Sequence, residues 1–565
     1  MKKKYVIFTA LSLIAMAITA CGGAGSESGS QNSGSQNPSS GSNGSSSSGG
    51  GQTTEGFTFD EEALNTPQEI HTADQKGYLN LNKEYYSMTG SDLNQFNATG
   101  ASGMNGLQKA SWAPLPVTVD WDFVAPEGKQ VTNYTFMFGQ TEDLADAYEL
   151  PTKPTDSAVS FTNAYLGKNY FKVIANLDDN TKVASPIKSF EVTGQAPRNL
   201  DVGNMPNCRD MGGRTTIAGG KIKQGLIYRT SGSKFDNNTP SDDAAKNVLI
   251  NQLGVKTEIN VANSTSNNVN LTGVKVENCY MAFGSVPYSN LARNSVRVRQ
   301  VMDILAEENN YPVFYHCRIG TDRTGITGVM IGGLLGIPFN EVIQDYGFSN
   351  FSPIDNQRYP GKTPDNNGDD IKKYIDEILA LPGANFQEQT YLALRLIGVS
   401  AEKLDKIIDF MTDGTKAQIP QTAKIGEGDG LTSTANKSTS ADYKAPATYY
   451  GVARDGNVSY TVTTTNGKKD IIVYLGYTGS VSTSTSTKLS ASLTLKIDGA
   501  EQTIASTKNL WTAGFGSTQQ DSRIGYMFSI LGNYDFTAGE HTVQIVNKAS
   551  SAFNIASIAV VDRAA

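Results

Sequence analysis

Pro312-Val313-Phe314-Tyr315-His316-Cys317-Arg318-Ile319-Gly320-Thr321-Asp322-Arg323-Thr324-Gly325 is the stretch whose reading decides the fold. Pro312 to Tyr315 reads as a strand, and from Thr324 an apolar run reaches Leu335, where Gly336 and Pro338 stop a helix. A strand that runs through a short glycine-bearing loop straight into a helix is a unit of an α/β layer.

The loop between them carries a specific chemistry. A glycine-rich loop opening a helix turns backbone N–H groups inward, and the helix N-terminus adds potential that favours an anion. The same field acts on the Cys317 sulfur, because a thiol of reference pKa about 8.5 falls to roughly 3.5–7.5 beside a helix N-terminus or a cation. Arg323 stands six residues after Cys317 and can set its planar fork on two oxygens of a phosphoryl group, which a lysine cannot imitate. Gly320 permits close backbone approach. The Thr324 hydroxyl can donate to the sulfur, and Asp322 is the nearest candidate for a general acid. An anion cradle, an ionised nucleophile and a proton donor are what attack on a phosphate monoester requires.

Outward from the loop, Ala244–Leu253 reads as a helix stopped by Gly254, Val255–Val261 as a strand, and Ser295–Glu307 as a helix with Val298, Val301, Met302 and Leu305 on one face. These alternating signals define a central α/β domain at 196–414. Before it, 112–195 alternates in short runs such as Tyr134-Thr135-Phe136-Met137-Phe138, the pattern of a β-sandwich. After it, 441–565 returns to strand pattern rich in Thr, Ser, Val and Tyr. Residues 415–440 read as a linker, and 56–111 has no legible pattern. The expected fold is multidomain, a central α/β cysteine-phosphatase domain between N-terminal and C-terminal all-β sandwiches.

His316-Cys317-Arg318-Ile319-Gly320-Thr321-Asp322-Arg323-Thr324-Gly325 resembles the HC-x5-R-[ST] signature of the protein tyrosine phosphatase superfamily. The DRTG ending, Asn207-Cys208-Arg209-Asp210-Met211-Gly212-Gly213, Gly225-Leu226-Ile227-Tyr228-Arg229-Thr230-Ser231 and Asp345-Tyr346 to Ser349-Asn350 resemble its bacterial branch of atypical tyrosine and dual-specificity phosphatases. The resemblance implies Cys317 as nucleophile, Arg323 as the phosphate-binding arginine and Asp322 as the acid. It implies a phosphate cradle of Arg318, Ile319, Gly320, Thr321, Asp322 and Arg323, with His316, Thr324, Arg209 and Asp210 in support. His316 tunes the thiolate through the loop backbone. The resemblance further implies two-step catalysis through a phosphocysteine, with no metal or organic cofactor. Three positions depart from the branch: Thr321 stands where lysine is frequent, Ile259-Asn260-Val261-Ala262-Asn263 where an IDLR sequence is frequent, and Cys208 where an aromatic residue is usual. Cys208 is either a reversible disulfide partner that protects Cys317 or a small buried apolar residue.

The flanking regions carry weaker resemblances. Trp121 and the turn Tyr165-Leu166-Gly167-Lys168-Asn169-Tyr170 make 112–195 similar to a fibronectin type III module. The closing strands of 441–565, Gly539–Val546 and Asn554–Val560, resemble galactose-binding-like sandwiches, the fold of many carbohydrate-binding modules. That domain is either a carbohydrate partner site or a spacer. Trp511, Tyr526 and Tyr534 are its aromatic candidates for stacking on a sugar or for the core, and no site is assigned there.

The N-terminus MKKKYVIFTALSLIAMAITAC has the layout of an export signal. Ile18-Thr19-Ala20-Cys21 resembles a bacterial lipobox, which implies lipidation of Cys21 after removal of the signal, 1–21; the alternative is a plain secretory signal. Residues 22–55 are almost wholly Gly, Ser, Asn and Gln and read as a flexible tether. A net charge of −8 excludes nucleic acid as a main partner. Three histidines are too few and scattered for a metal site of HExxH type, and four cysteines without a CxxC pair exclude a disulfide framework and a thiol redox motif. The expectation is an extracytoplasmic, membrane-anchored bacterial lipoprotein that hydrolyses phosphate monoesters of phosphotyrosine or dual-specificity type. Phosphorylated protein, phosphoinositide or inositol phosphate are the candidate substrates, and the Arg318 charge leans toward polyanions. The rival is a catalytically weak surface lipoprotein that captures phosphorylated ligands or glycans.

Overall fold

The structure is a computed structural model that describes residues 56–96, 112–233, 241–281, 290–354, 357–360, 368–443, 445–477, 488–506 and 526–563. The export signal, Cys21, the tether and Trp511 lie outside the described residues.

Strands Val131–Gly139 and Gly167–Leu177 pair antiparallel at the centre of the N-terminal sandwich, facing the two-stranded sheet of Val117–Asp120 and Ala158–Phe161. Alternation sends Tyr134, Phe136 and Phe138 inward while Thr135 and Met137 stay half-buried, so the period of two sets the core with Trp121, Phe161, Phe171 and Phe190.

Residues 56–96, which showed no pattern, are ordered by capping and by packing. Asp60 caps the helix Glu61–Asn65, and Thr72 with Gln75 forms a capping box on Ala73–Leu79. Gln68–Glu69 adds a parallel strand to the edge of Lys188–Thr193. The segment then crosses to the central domain, where the Tyr78 hydroxyl donates to the Gln344 carbonyl at 3.0 Å and Tyr85 N–H to Asn340 Oδ1 at 2.7 Å. Gly347 makes this approach possible, since a Cβ there would lie 2.3 Å from the Tyr78 hydroxyl.

The central sheet runs in the order Arg198–Asn199, Arg209–Asp210, Ile227–Thr230, Val313–His316, Thr257–Asn260, Lys275–Asn278, and its last four strands are parallel. Val313–His316 is wholly buried in its middle, as a parallel strand covered on both faces should be. It leads into the helix Asp322–Leu334, buried on nearly every side beside Phe339–Phe348 and Phe386–Leu396.

The C-terminal domain is a sandwich of two sheets. Residues 415–440, expected as a linker, belong to it: Ala423–Glu427 pairs antiparallel with Phe553–Asp562, and Lys437–Thr439 with Thr448–Val452. Their Ser, Thr and Lys content hid strands that are only half-buried. One sheet of this sandwich is not solvated. Ile472, Tyr474, Tyr526, Phe528, Ala559 and Val561 share one hydrophobic core with Val298, Val301 and Met302 of the helix Asn290–Leu305. Tyr526, an aromatic candidate for sugar stacking, is thus fully buried against the central domain.

Candidate active site

Four consecutive carbonyls of the loop are tied to the scaffold. Cys317 C=O faces His316 Nδ1 at 3.0 Å, Arg318 C=O accepts from Gly232 N–H at 2.9 Å, Ile319 C=O from Asn207 Nδ2 at 3.0 Å, and Gly320 C=O from an Arg229 guanidinium nitrogen at 2.9 Å. A loop whose carbonyls are held from outside can turn its N–H groups to the inner side, the requirement for an anion nest. Gly320 adopts φ +73°, and a Cβ there would sit 2.6 Å from the Thr230 carbonyl. Only glycine fits this position.

Cys317 is buried, and its N–H donates to Thr324 Oγ1 at 2.7 Å. Burial alone pushes the thiol up; the Arg323 cation and hydrogen bonding by Thr324 pull it down, against opposition from Asp322, and the net shift is below the ordinary thiol value. Arg318 and Arg323 are half-buried, while Ile319, Gly320 and Thr321 are buried in the loop. Thr321, which stands where lysine is frequent in the resembled branch, accepts from Asn207 Nδ2 at 3.1 Å, so the position serves the loop's conformation.

Asp322 meets an arginine that the sequence reading missed. Arg358 donates from Nε to Asp322 Oδ1 at 2.7 Å, and its own backbone is clasped by Asn350, whose Oδ1 accepts the Arg358 N–H at 2.8 Å while Nδ2 donates to the Arg358 carbonyl at 2.7 Å. Nothing in the polar stretch around Arg358 has a periodicity that would single it out.

Beneath the loop, Asp345 gathers three buried arginines. Arg209 Nε donates to its Oδ1 at 3.0 Å, Arg214 reaches the same oxygen at 3.4 Å, and Arg229 pairs with Oδ2. Burial would raise this carboxyl, but Arg209, Arg229 and Arg214 together hold it far below the usual range. Arg209 also bonds Asn207 Oδ1, which leaves the Asn207 amide nitrogen for the loop; burial and Arg229 lower its own pKa to about 10. Arg209 therefore reaches the loop through Asn207. Asp210 does not join it: Asp210 pairs with Arg198 at 2.8 Å and accepts from the N–H groups of Gly212 and Gly225, and Arg198 lies over the Tyr165 ring of the sandwich. Its side chain is spent on the junction between domains.

His316 has a second partner missed by sequence reasoning, the fully buried carboxylate of Glu258 at 2.9 Å from Nε2. A charged residue in the middle of a buried strand was the available signal. Cys208 bonds Thr230 Oγ1 and the Met205 carbonyl inside a separate apolar cluster, and burial pushes its thiol up to about 12. Its burial fits the second of the two alternatives, a small buried residue, and the three described cysteines are all free. Among the described residues no group of three or more His, Cys, Asp or Glu is placed to hold a metal ion.

No curated protein matches the chain. Among solved structures, the CBM35 from Cellvibrio japonicus Abf62 is 15% identical over 25% of this chain and 94% of that one, with a TM-score of 0.19. The C-terminal CBM6 of LamC from Zobellia galactanivorans is 11% identical over 25% and 99%, TM-score 0.19, and a CBM35 from Paenibacillus barcinonensis 16% over 25% and 98%, TM-score 0.18. The sequence model of the tyrosine phosphatase family matches residues 200–414, the region that holds the strand, the cysteine loop and the helix. The central domain, with β-rich regions on both sides, is a phosphatase domain of the tyrosine phosphatase family.

Proposed function

We propose that the chain hydrolyses phosphate monoesters with Cys317 as nucleophile. The observation that carries this reading is the placement of Cys317 between a buried strand and a helix N-terminus, in a loop with four carbonyls tied back, where Arg323 and Thr324 lower its thiol. The thiolate attacks phosphorus as the bond to the leaving oxygen breaks. Asp322 supplies the proton that the leaving oxygen takes, and Arg323 grips two of the remaining phosphoryl oxygens. Water then attacks the phosphocysteine, its proton passes to the Asp322 carboxylate, and Thr324 donates to the departing thiolate. Arg318, Ile319, Gly320 and Thr321 contribute the backbone of the cradle.

Phosphorylated protein is the proposed substrate class, with tyrosine or dual specificity; a phosphoinositide or inositol phosphate is the second reading, favoured by the half-buried cation of Arg318 at the loop. On the export signal and the Cys21 lipobox rests the proposal of a lipid-anchored enzyme outside the cytoplasm. The N-terminal sandwich is proposed as a fibronectin III-like spacer. The face of the C-terminal sandwich that carries Tyr526 is closed by the central domain, which restricts any glycan contact to its other surfaces.

The test is hydrolysis of p-nitrophenyl phosphate by the chain from residue 55, beside Cys317→Ser and Asp322→Asn, with chelator present. Turnover lost in Cys317→Ser and reduced in Asp322→Asn supports the proposal. Vanadate binding without turnover by the reduced chain replaces it with a protein that captures phosphate groups.

A further inference from the structure

Glu258 lies in the strand Thr257–Asn260, directly beside Val313–His316, and is fully buried. A carboxylate covered on both sides of a sheet is costly to desolvate unless a cation meets it. Its Oε1 receives the Val269 N–H at 2.9 Å and faces His316 Nε2 at 2.9 Å, while Oε2 has no hydrogen-bond partner among the described residues. The other ring nitrogen, Nδ1, faces the Cys317 carbonyl at 3.0 Å.

The donors and acceptors fix the orientation of the ring. A carbonyl only accepts, so Nδ1 carries a hydrogen. Nε2 then meets Glu258 Oε1, and the two contacts together fix the plane of the ring. The His316 ring is thereby held between Glu258 and the Cys317 backbone in the wall of the site. The charges that act on Cys317 itself are Arg323 and Asp322 at the start of the following helix, while Arg229 on the neighbouring strand is engaged by Asp345.

We propose that Glu258 is a positioning residue for the nucleophile: it keeps the His316 ring aimed, so that Nδ1–H holds the Cys317 carbonyl and fixes the backbone beside the sulfur. This rests on the reading of Cys317 as the reacting group. The role resembles that of a carboxylate fixing a catalytic imidazole, with the difference that the ring here acts on backbone and never on substrate.

The experiment uses the full chain. The rate of Cys317 alkylation by iodoacetamide is followed against pH in wild type and Glu258→Gln, with Cys317→Ser as the blank for Cys208 and Cys279. The expected result is a midpoint higher by about one pH unit and kcat/KM at pH 6 lower by about tenfold. In a His316→Asn background, Glu258→Gln should add no further shift. A lowered melting temperature with an unmoved alkylation midpoint overturns the proposal and leaves Glu258 a merely structural residue. Should Glu258→Gln not fold, the wild-type chain decides through nitrogen NMR of its three histidine rings, with His316 assigned by its loss in His316→Asn. A hydrogen on His316 Nδ1 at pH 7.5 or so supports the proposal, and an unprotonated Nδ1 overturns it. If wild type hydrolyses no monoester, the phosphatase reading fails by itself, and the alkylation midpoint still decides the role of Glu258.

Discussion

Arg358 meets both carboxylate oxygens of Asp322, with Nε 2.7 Å from Oδ1 and a terminal nitrogen 3.4 Å from Oδ2. Because Asn350 clasps the Arg358 backbone from both sides, the aim of Asp322 is set by a residue 36 positions away in sequence. The segment is braced in turn by the N-terminal part of the chain, where Asn94 Oδ1 accepts from Gln357 Nε2 at 3.0 Å.

If this pair positions the acid, Arg358→Met separates substrates by their leaving groups. Phenyl phosphate, whose leaving oxygen needs a proton, should lose about tenfold or more in kcat, within the usual worth of general acid catalysis. For p-nitrophenyl phosphate, which departs as a stable anion, the loss should be small. Parallel steady-state assays on the two esters check this; equal losses would refute an orienting role.

The lowered Cys317 thiol predicts a pH profile. Activity requires thiolate, so a lowered pKa keeps the reactive form present at neutral pH and below, and kcat/KM falls only as pH drops through that lowered value. Thr324→Ala removes one of the influences that lower it, and the acidic limb should move to higher pH. The same change should slow breakdown of the phosphocysteine, visible as a burst of product in rapid mixing.

Gly320→Ala should spare the fold and spoil the cradle. The added Cβ meets the Thr230 carbonyl at 2.6 Å and forces φ +73° on a residue with a side chain, a strain of about 1–3 kcal/mol concentrated in the loop. Vanadate affinity should weaken by an order of magnitude or more, with circular dichroism unchanged.

The strand-loop-helix was legible because its pattern is local: apolar strand, glycine loop and apolar helix each follow from neighbouring residues, and the nucleophile sits between them. Arg358 and Glu258 were not, because their meaning lies in partners distant in sequence, Asp322 and His316. The N-terminal segment concealed a readable sign, since Thr72 and Gln75 stand at capping-box spacing. Its docking on Gln344 and Asn340 is tertiary and left no trace in periodicity. The strands at 423–427 and 437–439 were lost for the opposite reason, being polar, half-exposed edges whose pairing is made by the backbone.

Acid should unfold the protein through its paired carboxyls. Burial tends to raise Glu69, but bonding by His71 and Lys76 lowers it to about 2, and Asp345 is held lower still by its arginines. Folded values below unfolded ones contribute stability that is present above about pH 4.3. That contribution is lost as pH falls toward about 2. Melting temperature measured from pH 7 to 2 should decline in this window. Asp345→Asn should lower it already at pH 7, because buried guanidiniums lose their counter-charge, an effect of about 3–5 kcal/mol.

The two β-rich flanks are not equal in their claim on the central domain. Ser295 on the helix Asn290–Leu305 donates to the Tyr526 carbonyl at 3.0 Å, so it accepts from the Tyr474 hydroxyl at 2.7 Å, and both tyrosines are buried. Around this polar bridge the helix and the sandwich sheet form one apolar core. A chain ending at residue 414 would expose that face of the helix, a contiguous patch of the kind that drives association. Such a chain should be recovered as soluble aggregate or inclusion material, and the full chain should melt without a separate early transition for the sandwich. Tyr474→Phe tests the bridge alone: it removes one buried hydrogen bond and leaves the packing, so the expected loss is about 1 kcal/mol. Calorimetry of the three chains decides the matter, since a monomeric, folded 55–414 chain would show that the sheet face covers the domain without supporting it.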